Sequence, residues 1–151
     1  MNLQYQESIK QAQIASQIHN RGKRLIMVDI DGTICRNPHD PKDPKAPQGG
    51  FVDAEPFPDR IEYINSLHDE GHYIMYWTAR GCYDGTDYKA QTQEQLKNWG
   101  CRYSELNVFK PAYDVWIDDK AVGVNREKEE FELFKSSIEY GIDNSSLPQD
   151  Y

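Results

Sequence analysis

Two aspartates one residue apart, Asp29 and Asp31, close the apolar run Leu25-Ile26-Met27-Val28 and are followed by Gly32-Thr33. If that run is an extended strand, its alternation sends both carboxylates to the same side. One can then attack an electrophile while the other serves as acid and base. Further groups follow other short apolar runs: Thr78 with Ala79-Arg80-Gly81 behind it, Lys110, and the pair Asp118-Asp119. Four carboxylates, a hydroxyl and an ammonium at one rim point to phosphoryl chemistry. A phosphomonoester dianion repels nucleophiles, so a site for it must neutralise charge and hold the attacking oxygen in line. Carboxylates alone add to the repulsion. Mg²⁺ resolves this, because it takes oxygen ligands from one or two carboxylates and accepts phosphate oxygens in its remaining positions. Gly32 permits a sharp turn beside the phosphate, and Thr33 can hydrogen-bond locally to fix it. The Thr78 hydroxyl and the backbone amides of Ala79 and Arg80 can hold a phosphoryl oxygen, and Lys110 can set its ammonium on the transferred group and on the aspartates.

These groups meet only if the elements carrying them deliver them to one edge. Leu25 to Val28 reads as a buried parallel strand. Asp59 can cap a helix through Ile61, Ile64 and Leu67 to Gly71, and His72 to Trp77 reads as the next strand, with Thr78 at its end. A helix from Thr86 or Asp87 to Trp99, closed by Gly100, precedes a weaker strand at Leu106 to Phe109. Val115-Trp116-Ile117 reads as a strand ending in Asp118-Asp119, and a helix is expected from about Arg126 to Tyr140 with Phe131, Leu133 or Phe134, and Ile138 inward. Alternating strands and helices predict an α/β fold: a Rossmann-like parallel sheet with helices on both faces, three layers α/β/α, and no large cap domain. In such sheets functional groups gather at the carboxyl ends of the strands. Residues 1–22 read as an N-terminal helical arm, 23–142 as the core and 143–151 as a tail. Within the core, 36–58 is a flap that holds six of the eight prolines.

The bulk composition narrows the function classes. With 38% hydrophobic residues in 151, the chain can bury one core. A formal charge of −8 weighs against general nucleic-acid binding, which depends on basic side chains releasing counterions. No apolar run approaches membrane-spanning length, and the first residues lack the basic and apolar regions of a signal peptide, so a cytoplasmic protein with no membrane partner is expected. Three cysteines, Cys35, Cys82 and Cys101, form neither a disulfide framework nor a CxxC site and read as reduced thiols. The N-terminal arm can pack on the domain or on another subunit, which leaves a homo-oligomer open.

Taken together, Asp29-Ile30-Asp31-Gly32-Thr33, Thr78, Lys110 and Asp118-Asp119, in that order over roughly residues 24 to 125, resemble the haloacid dehalogenase superfamily of phosphatases. The resemblance implies that Asp29 becomes a phospho-aspartyl intermediate, and that Asp31 protonates the leaving alcohol and then activates water. It further implies that Thr78 and Lys110 hold the phosphoryl group, and that Asp118 binds Mg²⁺ with Asp29 and the carbonyl of Asp31. Asp119 would orient Lys110 or a metal-bound water, and the two acids could exchange roles. The short spacings from Thr33 to Thr78 and on to Lys110 imply a capless or minimally capped member. The wider pattern at Trp77–Gly81, Gln95–Gly100 and Lys110–Asp114 is similar to small bacterial phosphatases of capsule and surface-polysaccharide biosynthesis, which implies a sugar phosphate or similar small substrate. Three readings compete. Arg36, Lys42 and Lys45 near the flap would suit a nucleotide or polynucleotide-end 3′-phosphatase. A receiver-like signalling domain uses similar residues in a different order, and an inactive phosphate-binding domain would lack turnover.

Overall fold

The structure, a computed structural model, describes residues 2–40, 42–45, 49–124 and 131–145. Helix α1 (Leu3–Asn20) leads into β1 (Leu25–Val28). The flap follows, with a 3-10 turn at Gly50–Asp53, and then come α2 (Pro58–Asp69), β2 (Tyr73–Trp77), α3 (Lys89–Asn98), β3 (Glu105–Asn107) and α4 (Phe131–Asn144). The three strands form one parallel sheet in the order β1-β2-β3, with Ile26 opposite Ile74 and Tyr76 opposite Leu106. This is the expected α/β fold. No helix among the described residues is long and apolar enough to cross a membrane.

Alternation along the strands divides the sheet into two faces. Ile26, Val28, Ile74, Tyr76 and Leu106 pack with Ile61, Ile64 and Leu67 of α2, Leu96 of α3 and Phe134 of α4. Burying each such aliphatic side chain is worth about 1.5–3 kcal/mol, so this face anchors the fold. The opposite side chains, Leu25, Met27, Tyr73, Met75, Trp77 and Asn107, line an open cavity of about 470 Å³ with Gln11 of α1. Helix α1 is started by Asn2, whose side chain accepts from the Tyr5 amide, and is tied to the sheet by Gln11 Nε2 donating to Glu105 at 3.5 Å. Helices therefore stand on both faces, the second more thinly covered.

Three local expectations change. Phe57, not Asp59, occupies the cap of α2, because Pro58 takes the first helical position, where its missing N–H costs nothing. The last helix runs from Phe131 to Asn144, into the segment read as tail, with Phe134 rather than Leu133 buried. Its expected first turns and most of the tail lie outside the described residues. The third change bears on the site. Val115-Trp116-Ile117 is not a strand of the sheet, and Val115 and Ile117 are 75% and 94% exposed. Local contacts hold the segment instead. The Trp116 ring packs edge-on against Tyr113 at 5.0 Å and Trp77 at 6.5 Å, and its indole nitrogen donates to Asp118.

Candidate active site

Strand β1 ends at Val28 and releases Asp29 and Asp31 on either side of Ile30, which is fully buried. The chain then turns: the amides of Thr33 and Ile34 both donate to the Ile30 carbonyl, and the Gly32 amide donates to Cys35. Gly32 sits at φ +85°, in the left-handed region where a side chain is strained. Arg60, held over the rings of Phe57 and Phe134, fixes the turn from below by donating to the Thr33 carbonyl at 2.9 Å.

Each oxygen of Asp29 has its own partner. Lys110 Nζ stands 2.8 Å from Oδ1, and the Thr33 hydroxyl donates to Oδ2 at 3.1 Å. The side chain remains 35% exposed, so the carboxylate is oriented yet reachable. Lys110 is nearly buried, and its aliphatic stem explains how an ammonium can be held there. Its backbone amide donates to the Thr78 carbonyl, while the Thr78 amide donates to Asn107. The ends of β2 and β3 are thereby stitched together behind Asp29. Phe109, directly before Lys110, has φ +60°, a left-handed conformation costing a bulky residue about 1–2 kcal/mol. That strain sits at the point where the chain must bend to bring Lys110 inward.

Asp31 is held differently. Arg80 grips it with both arms, Nε to Oδ2 at 3.0 Å and Nη2 to Oδ1 at 2.8 Å. Nη1 of Arg80 donates to Gln95 at 2.8 Å and to Thr92 at 3.2 Å on α3. The Arg80 side chain is thus a structural ion-pair partner of Asp31, turned into the protein. The Thr78 hydroxyl, itself buried, accepts from the Arg80 amide at 3.3 Å. Ala79 lies in the same turn, its carbonyl accepting from Cys82. Gly81 closes the turn at φ +89°, and a Cβ there would collide with the Thr86 carbonyl and press on the Phe109 ring.

Cys35 lies behind the site, 3.6 Å from Asp31 Oδ1. Burial first, and then the Asp31 charge, push its thiol well above the ordinary cysteine range, which keeps it protonated and non-nucleophilic. The three cysteines are free thiols, as the sequence implied.

The structure brings together Asp29, Asp31, Thr33, Thr78, Arg80 and Lys110. It does not bring Asp118 and Asp119 to them as metal ligands. Both are exposed, and Asp118 accepts from the Lys120 amide and the Trp116 indole, contacts that hold its carboxyl below the usual carboxylate range. Among the described residues no three His, Cys, Asp or Glu side chains stand close enough to hold a metal ion. Asp29 is paired to Lys110 and Asp31 to Arg80, and both keep the hard carboxylate oxygens of the kind Mg²⁺ takes. Phe51 and Thr92 are participants that the sequence did not mark, and Gln95 entered only within the wider resemblance, with no role of its own. All three meet Arg80 only through the fold.

No family model and no curated protein matches the chain. Among solved structures, the crystal structure of a target protein from Vibrio cholerae is similar to it at 27% identity and a TM-score of 0.51, over 76% of this chain and 98% of that one. The match bears on the fold and carries no statement of activity.

Proposed function

We propose that the chain is a phosphomonoester hydrolase of the haloacid dehalogenase type, in which Asp29 is the nucleophile and Asp31 the proton carrier. The observation that carries this reading is the pairing of Asp29 with Lys110 and Thr33, one partner per oxygen, beside an Asp31 held by a separate cation. An exposed carboxylate oriented by a buried ammonium suits attack on a dianion, because the same ammonium can follow the charge onto the phosphoryl oxygens. Asp29 Oδ bonds to phosphorus as the bond to the leaving oxygen breaks, and a proton on Asp31 passes to that oxygen. Water then attacks the phospho-aspartate, Asp31 takes its proton, the phosphorus–Asp29 bond breaks and inorganic phosphate leaves. Thr78, at the end of β2 and joined through its carbonyl to the Lys110 amide, takes the phosphoryl-holding role that the resemblance implies.

The magnesium requirement enters the proposal through the family resemblance alone, and no step above is routed through the ion. The substrate class, a sugar phosphate or similar small metabolite, likewise comes from the resemblance. Turnover of p-nitrophenyl phosphate with and without Mg²⁺, followed by a panel of sugar phosphates and 3′-phosphorylated oligonucleotides, tests the reading. Metal-stimulated release of phosphate that disappears in Asp29→Asn is the expected result. Turnover unchanged in that variant removes Asp29 as nucleophile.

A further inference from the structure

Arg80 stands between Asp31 and the flap. Its side chain is 2% exposed, with Nε and Nη2 on the two oxygens of Asp31 and Nη1 on Gln95 and Thr92. Gln95 passes the connection on, because its Nε2 donates at 2.7 Å to the carbonyl of Phe51 in the 3-10 turn of the flap. The Phe51 ring covers the guanidinium, with 4.3 Å between its centroid and Arg80 Cζ, and is itself met edge-on by Tyr88 at 5.0 Å. One continuous set of contacts therefore runs from the flap through Arg80 to the aspartate two residues beyond the proposed nucleophile.

We infer that Arg80 is a positioning residue that aims Asp31 for proton transfer, and that Phe51 and Gln95 hold that aim from the flap. The inference rests on the hydrolase reading. An aspartate on a loop past a strand end has two free side-chain torsions, and a bidentate fork fixes both. A single point charge supplies the same electrostatic sign but cannot fix orientation, which is where arginine and lysine differ. Each carboxylate oxygen has a second lone pair beyond the one turned to the guanidinium, and a proton can be carried there. Packing of Phe51 over the guanidinium plane limits its tilt, so displacement of the flap turn loosens Asp31 without any contact between flap and aspartate.

The test uses the full chain and two esters of similar shape, p-nitrophenyl phosphate and phenyl phosphate. The first has a leaving group that departs readily without a proton, and the second depends on one. Both esters give the same phospho-enzyme, so kcat/KM, which covers the steps up to phosphoryl transfer, isolates protonation of the leaving group. Since positioned proton transfer contributes roughly 10²–10⁴-fold, Arg80→Lys is expected to lower kcat/KM on phenyl phosphate about 10–100-fold and on the nitrophenyl ester only about threefold. Phe51→Ala, which leaves the ion pair in place, is expected to move the ratio of the two kcat/KM values the same way by about 3–10-fold. A structural role alone lowers both esters equally. Equal losses of kcat/KM on the two esters in Arg80→Lys overturn the positioning role. If Arg80→Lys does not fold by circular dichroism, the Phe51→Ala ratio decides, and an unchanged ratio there overturns the coupling. Absence of wild-type turnover on either ester with Mg²⁺ removes the hydrolase reading and this inference with it, whereas wild-type turnover with flat ratios removes the inference alone.

Discussion

Two segments of this chain have the same outline in sequence, an apolar run ending in an aspartate pair, and the fold treats them differently. Leu25 to Val28 lies in the sheet, all four residues paired to β2, and just beyond it Ile30 is fully buried between the two aspartates. Val115 to Asp119 lies outside it, with Ile117 almost wholly in solvent and Asp118 bound to its own neighbours. The difference shows that an acidic pair after an apolar run gains a fixed direction only when the run has a neighbouring strand. At β1 the charged partners of the carboxylates come from more than 40 residues away, Arg80 for Asp31 and Lys110 for Asp29. At 115–119 the acceptor bonds of Asp118 come from within two residues. The first arrangement is set by tertiary structure and the second by local chain geometry.

The sharpest way to break this comparison is to neutralise one acid in each segment. Asp29→Asn is expected to lower phosphatase turnover by roughly three orders of magnitude or more, since it removes the attacking oxygen itself. Asp118→Asn is expected to cost far less, because its carboxylate accepts from its own neighbours and not from the groups around Asp29. Steady-state kinetics over a magnesium titration separates the two. Equal abolition in both variants shows that the segments form one site during turnover.

The isoleucines that precede the acids give the stability counterpart. Ile30→Ala removes a fully buried side chain and is expected to cost about 2–5 kcal/mol in chemical denaturation. Ile117→Ala should stay within about 0.5 kcal/mol, because that side chain is 94% exposed. A large loss at Ile117 contradicts its placement outside the core. Gly81→Ala falls between the two. The added Cβ meets the Thr86 carbonyl and the Phe109 ring at a positive φ, so a loss of about 1–3 kcal/mol is expected, seen as a lower melting temperature.

The contrast also explains what could be read from the sequence. The strands Leu25–Val28 and Tyr73–Trp77 and helix α2 were legible because their apolar periodicity matches the faces they bury. Asp29, Asp31, Thr78 and Lys110 could be placed at strand ends by position alone, and the structure gathers them at one rim. The destination of Arg80 was not legible. Whether a strand-end arginine meets solvent, substrate or a buried carboxylate depends on Thr92, Gln95 and Phe51, and these approach only after α3 and the flap have packed. The failed strand at 115–117 has the same cause in reverse. Its pattern is a strand pattern, but Trp116 packs on Tyr113 and Trp77 and the run has no strand beside it.

The mildest test concerns how the ordered segment is held. His72, just before β2, is nearly buried and accepts from the Arg24 amide at 3.1 Å through Nδ1, so its neutral form joins the start of β1 to the start of β2. Burial first, then the charge of Lys23, lowers its pKa below the ordinary 6.5. In the unfolded chain the imidazole takes up a proton near 6.5, while in the folded chain it resists until the pH is lower. The unfolded state therefore binds more protons in that window, and stability is full above about pH 6.5 and falls as pH drops toward the lowered folded value. Hydrogen exchange of the Leu25 to Val28 amides is expected to quicken through this range while that of residues 112–122 does not change beyond the intrinsic pH dependence. His72→Gln should flatten the stability trend, because the amide has no proton to gain. A trend as steep in His72→Gln as in the wild type assigns the pH dependence to other groups and leaves the β1–β2 junction without its proposed acid sensitivity.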